Sequence, residues 1–235
     1  MTVFKLEEIF EKYAEQEFKI KGRIIATGKK QVEKFLENPF PHRHMILLYE
    51  ELEDAKILQY TFLKYSLQSS GSCCYVTHDG HTSQEIIEDE MKHFGINVDE
   101  AKKNNLLHIE ILPNFEKFNG DIVELIKTRI IPNLTKLHAP RRLVGIQGIP
   151  VCTEEEIERA FKKERFIRNK LEDLHTQKIC PVYLKDIEPS KFGSWIIKYI
   201  RYHDCVILSS GPDKTVVFEL ISEPPVGTNI KLEKF

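Results

Sequence analysis

Histidine and cysteine are the residues of this 235-residue chain most able to do chemistry, and their spacing limits what that chemistry could be. His42-x-His44 and His78-x-x-His81 could each offer two imidazoles to one metal ion. The first pair precedes a candidate strand and the second follows one. In a parallel sheet those are opposite ends, roughly 15 Å apart for five residues of rise. A tetrahedral site needs three or four donors on one point, so the spacing predicts no metal site and leaves these as surface and capping histidines. Cys73 and Cys74 are adjacent in a candidate strand and should face opposite sides of the sheet. A disulfide between them is geometrically poor. Together with Cys180 and Cys205 they read as core residues. Cys152, in a loop ahead of a helix, has a reason for a lowered pKa in the helix N-terminus but no obvious histidine partner.

A phosphate-binding loop needs glycines that let backbone amides converge, followed by a Lys and a Ser or Thr. The first strand-to-helix junction instead reads Tyr49-Glu50-Glu51-Leu52-Glu53-Asp54-Ala55-Lys56, with no glycine and four carboxylates. Those charges repel a triphosphate. The stretch Arg142–Pro150 offers no carboxylate for magnesium. ATP hydrolysis by the usual route is not expected.

The elements that must position such residues follow from periodicity. From Met45 onward, apolar runs alternate with amphipathic helices. The expected strands are Met45–Tyr49, Ser72–Thr77, Leu106–Leu112, Arg142–Gln147, Ile179–Tyr183, Cys205–Leu208 and Val216–Ile221. Helices are expected over Asp54–Ser69, from a Thr82…Glu85 capping box to Gly95, over Asp121–Leu137, from Thr153 to Leu174, and over Ser190–His203. The last of the long helices carries Glu154-Glu-Glu156, Lys162-Lys163, Arg165 and Arg168, which reads as a solvated face. Strand–helix alternation with wholly apolar strands predicts an α/β fold, a three-layer mostly parallel sheet covered on both faces. Gly211-Pro212-Asp213 allows only a turn, so the last strand should close an antiparallel hairpin at the sheet edge.

Residues 1–40 read differently, as a helical extension. Leu6, Ile9, Phe10, Tyr13 and Phe18 give one amphipathic helix, and Val32, Phe35 and Leu36 a second that Pro39 ends. Such a stripe cannot stay folded alone in water, so it must pack on the α/β domain as a lid or on a second copy of itself; self-association as a homodimer is the expectation tested against the lid. The main domain is expected over 41–222 and a loose tail over 223–235, where Pro224-Pro225 and Gly227 occur.

Composition narrows the class. Lys+Arg 34 against Asp+Glu 36 give a net charge of −2, which argues against a nucleic-acid or anionic-membrane binder. No apolar run approaches the roughly 18 residues of a membrane helix. Acidic residues follow the first Met where a leader would be apolar, and an odd count of 5 Cys suits a reducing compartment. A cytoplasmic protein is the expectation.

The stretch His44-Met-Ile-Leu-Leu-Tyr-Glu50, then Phe62-Leu-Lys-Tyr-Ser-Leu67, then Ser72-Cys-Cys-Tyr-Val-Thr-His-Asp79, resembles the MEDS family, the methanogen/methylotroph DcmR sensory domains. Gly95-Ile-Asn-Val-Asp99, the strand before Gly148, Ile179-Cys-Pro-Val-Tyr183 and Cys205-Val-Ile-Leu208 continue the likeness in order, over about residues 40 to 210. The resemblance implies a RecA/KaiC-like sheet that has lost its phosphate loop, and a role in sensing small carbon compounds. It also implies a histidine kinase or transcriptional regulator as output partner, although no such module is attached over this likeness.

In open α/β sheets ligands bind outside the carboxyl ends of the strands. That rule selects Tyr49, Glu50, His78, Asp79, Gln147 and Tyr183 as candidate ligand-binding residues. The expected function is a non-enzymatic sensory module that binds a small molecule there, without catalytic residue or cofactor. The alternatives are a degenerate RecA-like ATP-binding protein or weak ATPase, for which His78-Asp79 would stand in for acidic residues, and an adaptor acting through the N-terminal helices.

Overall fold

The computed structural model describes residues 22–78, 83–113, 121–145, 154–184 and 199–220, with side chains described for all of these except 22, 154–157 and 212. The expected helix over Leu6–Phe18, Asp79, His81, Gln147, Cys152 and the C-terminal tail lie outside them.

Eight strands form one sheet. They are β1 (Gly22–Thr27), β2 (His44–Tyr49), β3 (Ser72–His78), β4 (Leu107–Leu112), β5 (Arg141–Val144), β6 (Thr176–Tyr183), β7 (Cys205–Ser209) and β8 (Thr215–Leu220). Their spatial order is β1-β8-β7-β2-β6-β5-β3-β4. The six strands from β7 to β4 in that order are parallel to one another. β7 and β8 form the expected antiparallel hairpin.

The helices are α1 (Gly28–Glu37), α2 (Leu52–Gln68), α3 (Gln84–His93), α4 (Val98–Lys103), α5 (Ile122–Leu125), α6 (Ile131–Lys136) and α7 (Glu154–Asp173). One core holds the inner sides of α1 to α4 against Met45, Leu47, Tyr49, Cys73, Cys205 and Ile207. The other packs α5 to α7 on Cys74, Val76, Leu112 and Leu143. The chain moves outward from β2 to β4 with its helices on the first face, and returns from β4 to β6 with its helices on the second. A fixed right-handed crossover requires that exchange of faces. Cys73 and Cys74 fall in different cores, as alternation along a strand dictates.

Several local features differ from the sequence expectation. Residues 22–27 are not helical: β1 pairs antiparallel with β8 and forms the sheet edge outside the hairpin. Its run Arg-Ile-Ile-Ala-Thr is β-branched and short, and the neighbouring strand edge supplies partners that no local pattern reveals. Gly28, at φ +67, makes the turn from β1 into α1 in a conformation that glycine favours. The cap of α3 is Ser83, whose hydroxyl accepts from the Ile86 N–H. At the far end of α3, Gly95 at φ +83 lets its N–H reach the Lys92 carbonyl and that of Ile96 reach Met91, the double bond of a Schellman cap. The expected helix over Asp121–Leu137 is present, with Asp121 capping Val123, but Ile126–Ile130 is a π turn. Pro132 supplies no N–H to the turn behind it, which favours such a local widening.

Arg142, on β5, is buried among the helices of the first face. Its guanidinium donates to the carbonyls of Leu36 (2.8 Å), Phe62 (2.6 Å) and Glu37 (2.6 Å) and lies 4.7 Å from the Phe62 ring centroid. It thereby joins the C-terminal end of α1, the middle of α2 and β5. Burial pulls its pKa down to about 10, and the ion stays charged at neutral pH. Arg142→Ala strands three carbonyls and should cost about 2–4 kcal/mol, read as a lower urea midpoint with an unchanged slope. Arg142→Lys, with one compact ammonium for a planar fork, should recover less than half of that loss.

Candidate functional site

Two places draw the chemistry-bearing residues together: the carboxyl edge of the sheet, where the sequence points, and a buried cluster under α7, where it does not.

At the edge, Tyr49 and Tyr183 are register partners on β2 and β6, with ring centroids 5.3 Å apart. Glu50 follows directly, and its N–H donates to the Ser209 carbonyl at the end of β7 (3.3 Å). His78 ends β3, in register with Leu112. Strand β5 lies between β3 and β6, so His78 stands two strand spacings from Tyr183, roughly 10 Å. The edge therefore gathers Tyr49, Glu50 and Tyr183 and sets His78 apart. Tyr49 is 1% exposed and belongs to the core.

The junction after β2 is short. Strand β2 ends at Tyr49 and α2 begins at Leu52, so Glu50 and Glu51 alone connect them. Two residues cannot wrap a phosphate, and Glu53 and Asp54 occupy the first turn of α2. Burial, then Glu51 and Glu53, push the Asp54 carboxyl up from its ordinary value. Beside this turn a cavity of about 60 Å³ opens between α1, α2 and the β7–β8 hairpin, with Val32, Ile57, Leu58, Asp54, Ser209 and Thr215 on its wall.

At the second place the sequence predicts a solvated helix face, core cysteines and a surface or capping His44. In fact Lys163 and Glu164 are 4% and 0% exposed. Buried residues of α7 recur at Ala160, Lys163, Glu164, Ile167 and Leu171, the spacing of one helical face. His44 and Lys178 are register partners on β2 and β6, and Cys180, two residues on, shares Lys178's face. These side chains meet Glu164 beneath α7. His44 is 2% exposed and His42, at 8%, packs by Phe35 and Glu219, so neither is a surface histidine.

Backbone contacts place the two cluster histidines together. Asp204 Oδ2 accepts from the N–H groups of Arg43 and His44 (2.8 Å each), and the Asp204 N–H donates to the His44 carbonyl (2.6 Å). His203, the preceding residue, is thereby held against His44, ring centroids 4.2 Å apart.

Around Glu164, Oε1 accepts from the Tyr199 hydroxyl (2.6 Å) and pairs with Lys163 Nζ (2.9 Å). Oε2 faces His44 Nε2 (3.1 Å), Lys178 Nζ (3.8 Å), His203 Nε2 (3.9 Å) and Cys180 Sγ (3.9 Å). Cys180 Sγ is 3.1 Å from the same His44 Nε2. Burial alone would raise the Glu164 carboxyl, yet Lys163, Lys178 and His44 outweigh it and hold it well below its usual range. Burial lowers the His203 imidazole, and neighbouring His44 lowers it further. Lys178 reaches the cluster past Gly145, where any Cβ would collide with its Cε.

His44, Glu164, Cys180 and His203 bring one donor atom each to within 4.8 Å of the others, so they are the described residues able to hold a metal ion together. The sequence did contain a signal for Glu164 alone of these four: its helix neighbours four before and three after, Ala160 and Ile167, are apolar.

The sheet order and two-faced cover give a three-layer α/β fold of the RecA/KaiC-like kind. The structure is similar to a KaiC-like protein from Pyrococcus horikoshii, at TM-score 0.55 and 17% identity, covering 84% of this chain and 99% of that one. It is also similar to the flagellar accessory protein FlaH from Methanocaldococcus jannaschii, at TM-score 0.50 and 14% identity, covering 86% and 88%. At these identities the likeness is one of fold. No family model and no curated protein matches the sequence.

Removing a buried ion's partner costs more than removing the pair. Glu164→Ala, which leaves Lys163 and Lys178 uncompensated, should cost about 3–5 kcal/mol in denaturant unfolding. The double variant Lys163→Met/Glu164→Leu should be more stable than Glu164→Ala alone. A double variant that is less stable would mean Lys163 is not paired with Glu164 in solution.

Proposed function

We propose that this chain is a sensory, ligand-binding module that uses the RecA-like sheet without nucleoside triphosphate chemistry. The observation that carries the reading is the two-residue Glu50-Glu51 junction, with Glu53 and Asp54 in the helix turn behind it. Phosphate binding at a helix start depends on free N–H groups and positive potential, and the four carboxylates of that junction and turn oppose it. The cavity next to it supports the choice of ligand. Its 60 Å³ has room for about four water-sized groups, and its wall mixes the aliphatic Val32, Ile57 and Leu58 with the hydroxyls of Thr61, Ser209 and Thr215 and the charged Lys29, Glu33 and Asp54. A short-chain carbon compound with one polar group fits that lining. Tyr49 and Glu50 flank the site, while Tyr183 backs Tyr49. This is the reading that the MEDS resemblance implies, with a histidine kinase or transcriptional regulator as the recipient of the signal.

Thermal unfolding of the full chain with a panel of short-chain alcohols, acids and halocarbons should give a concentration-dependent rise in Tm for at least one class. Asp54→Ala should abolish that rise. A flat response across the panel would count against a sensor pocket. Equilibrium binding of ATP with magnesium should show no saturation below the millimolar range, and a micromolar Kd would favour the ATP-binding alternative.

A further inference from the structure

We propose that His44, Glu164, Cys180 and His203 form a closed, four-coordinate site for a borderline-soft divalent cation of the zinc kind. The site is separate from the ligand cavity, and the inference does not depend on the sensory reading.

Geometry comes first. Zinc bonds of about 2.0–2.3 Å place tetrahedral ligand atoms about 3.3–3.8 Å from one another. Here His44 Nε2 lies 3.1 Å from both Cys180 Sγ and Glu164 Oε2, while Glu164 Oε2 lies 3.9 Å from Cys180 Sγ and from His203 Nε2. Hydrogen bonding alone accounts poorly for this arrangement. The His44 Nε2–H can point straight at only one of Glu164 Oε2 and Cys180 Sγ, and the thiol's own contact to Glu164 Oε2 is long at 3.9 Å, whereas a shared ion between them engages all three atoms.

His203 supplies an independent observation. Its Nδ1 lies 3.1 Å from the Tyr199 carbonyl, which can only accept, so Nδ1 carries the proton. In the neutral ring Nε2 then presents a bare lone pair to the cluster. That atom is buried and, among the described residues, has no hydrogen-bond partner at ordinary bonding distance; it faces Glu164 Oε2 at 3.9 Å and the Cys180 thiol. A stranded acceptor of this kind costs free energy, and an imidazole fixed by its other nitrogen on a backbone carbonyl is how proteins orient a metal-binding histidine.

The donor set selects the ion. Two imidazoles, a thiolate and one carboxylate oxygen suit zinc and its neighbours, whereas magnesium and calcium require oxygen ligands throughout. The lysines are the opposing charges. Lys163 and the Tyr199 hydroxyl engage Oε1 and leave Oε2 for the cation, while Lys178 must yield its 3.8 Å approach to that oxygen. A dication balances the thiolate and carboxylate, and binding releases the protons they and His44 would otherwise share. The ligands come from β2, α7, β6 and the turn before β7, so an ion there ties the covering helix to three central segments of the sheet. With four protein ligands and no open position, its role is structural.

The full chain, prepared without a histidine tag, should carry about one zinc per molecule by elemental analysis. After chelation and refilling with cobalt(II), intense visible bands of tetrahedral geometry should appear together with a thiolate-to-cobalt charge-transfer band. Cys180→Ser should lose the charge-transfer band, and His203→Ala should weaken cobalt binding at least tenfold, while His78→Ala should change neither. If a variant fails to fold, the wild-type cobalt spectrum decides alone: weak bands of an octahedral aquo-type ion, or no saturable one-to-one binding, overturn the site.

Discussion

The carboxylate of Glu164 is the constraint around which the centre of this molecule is arranged. It has no access to water, and a buried anion is tolerable only when compensated. The compensation comes from both layers: Lys163 from its own helix, Lys178 and His44 from the sheet, and a hydroxyl from Tyr199. Each partner restricts something else. Lys178 must extend past a residue with no side chain, so Gly145 ends β5. His44 must stand opposite Lys178, which fits only one register of β2 on β6. Helix α7 can neither rotate nor slide without exposing these charges to an apolar contact.

The opposite face is fixed by a single cation. Arg142 gathers carbonyls from two helices and so adds directed bonds between them to their apolar packing. Apolar contact is non-directional, whereas a planar guanidinium bonded to three acceptors sets orientation. The two faces thus share a device: a buried ion near the sheet centre that specifies how the covering helices sit. In each case the ion is satisfied by groups distant in sequence.

The carboxyl edge is built under the contrary condition. Its acids, Glu50, Glu51, Glu53 and Asp54, crowd one short junction, and burial, then Glu51 and Glu53, raise the Asp54 carboxyl. Negative charge gathered there opposes phosphate, and the edge stands apart from the buried ions that hold the covering helices in place.

The sequence by itself determined the α/β alternation, the six parallel strands, the antiparallel hairpin after Gly211 and the division of Cys73 from Cys74. All of these follow from local periodicity, turn residues and strand alternation, which act over a few residues. It also showed the acidic junction after Tyr49, because a missing phosphate loop is a local fact. Only the tertiary structure decided that β1 is a strand, since its pairing partner β8 lies about 190 residues away and its own pattern is ambiguous. Likewise it alone brought His44, Glu164, Cys180 and His203 together. A charged residue reads as solvated until its helix is docked, and Glu164 became a buried ion because α7 lies with that face on the sheet. Which donors converge is a property of crossover topology and strand register, and no spacing within one segment records either.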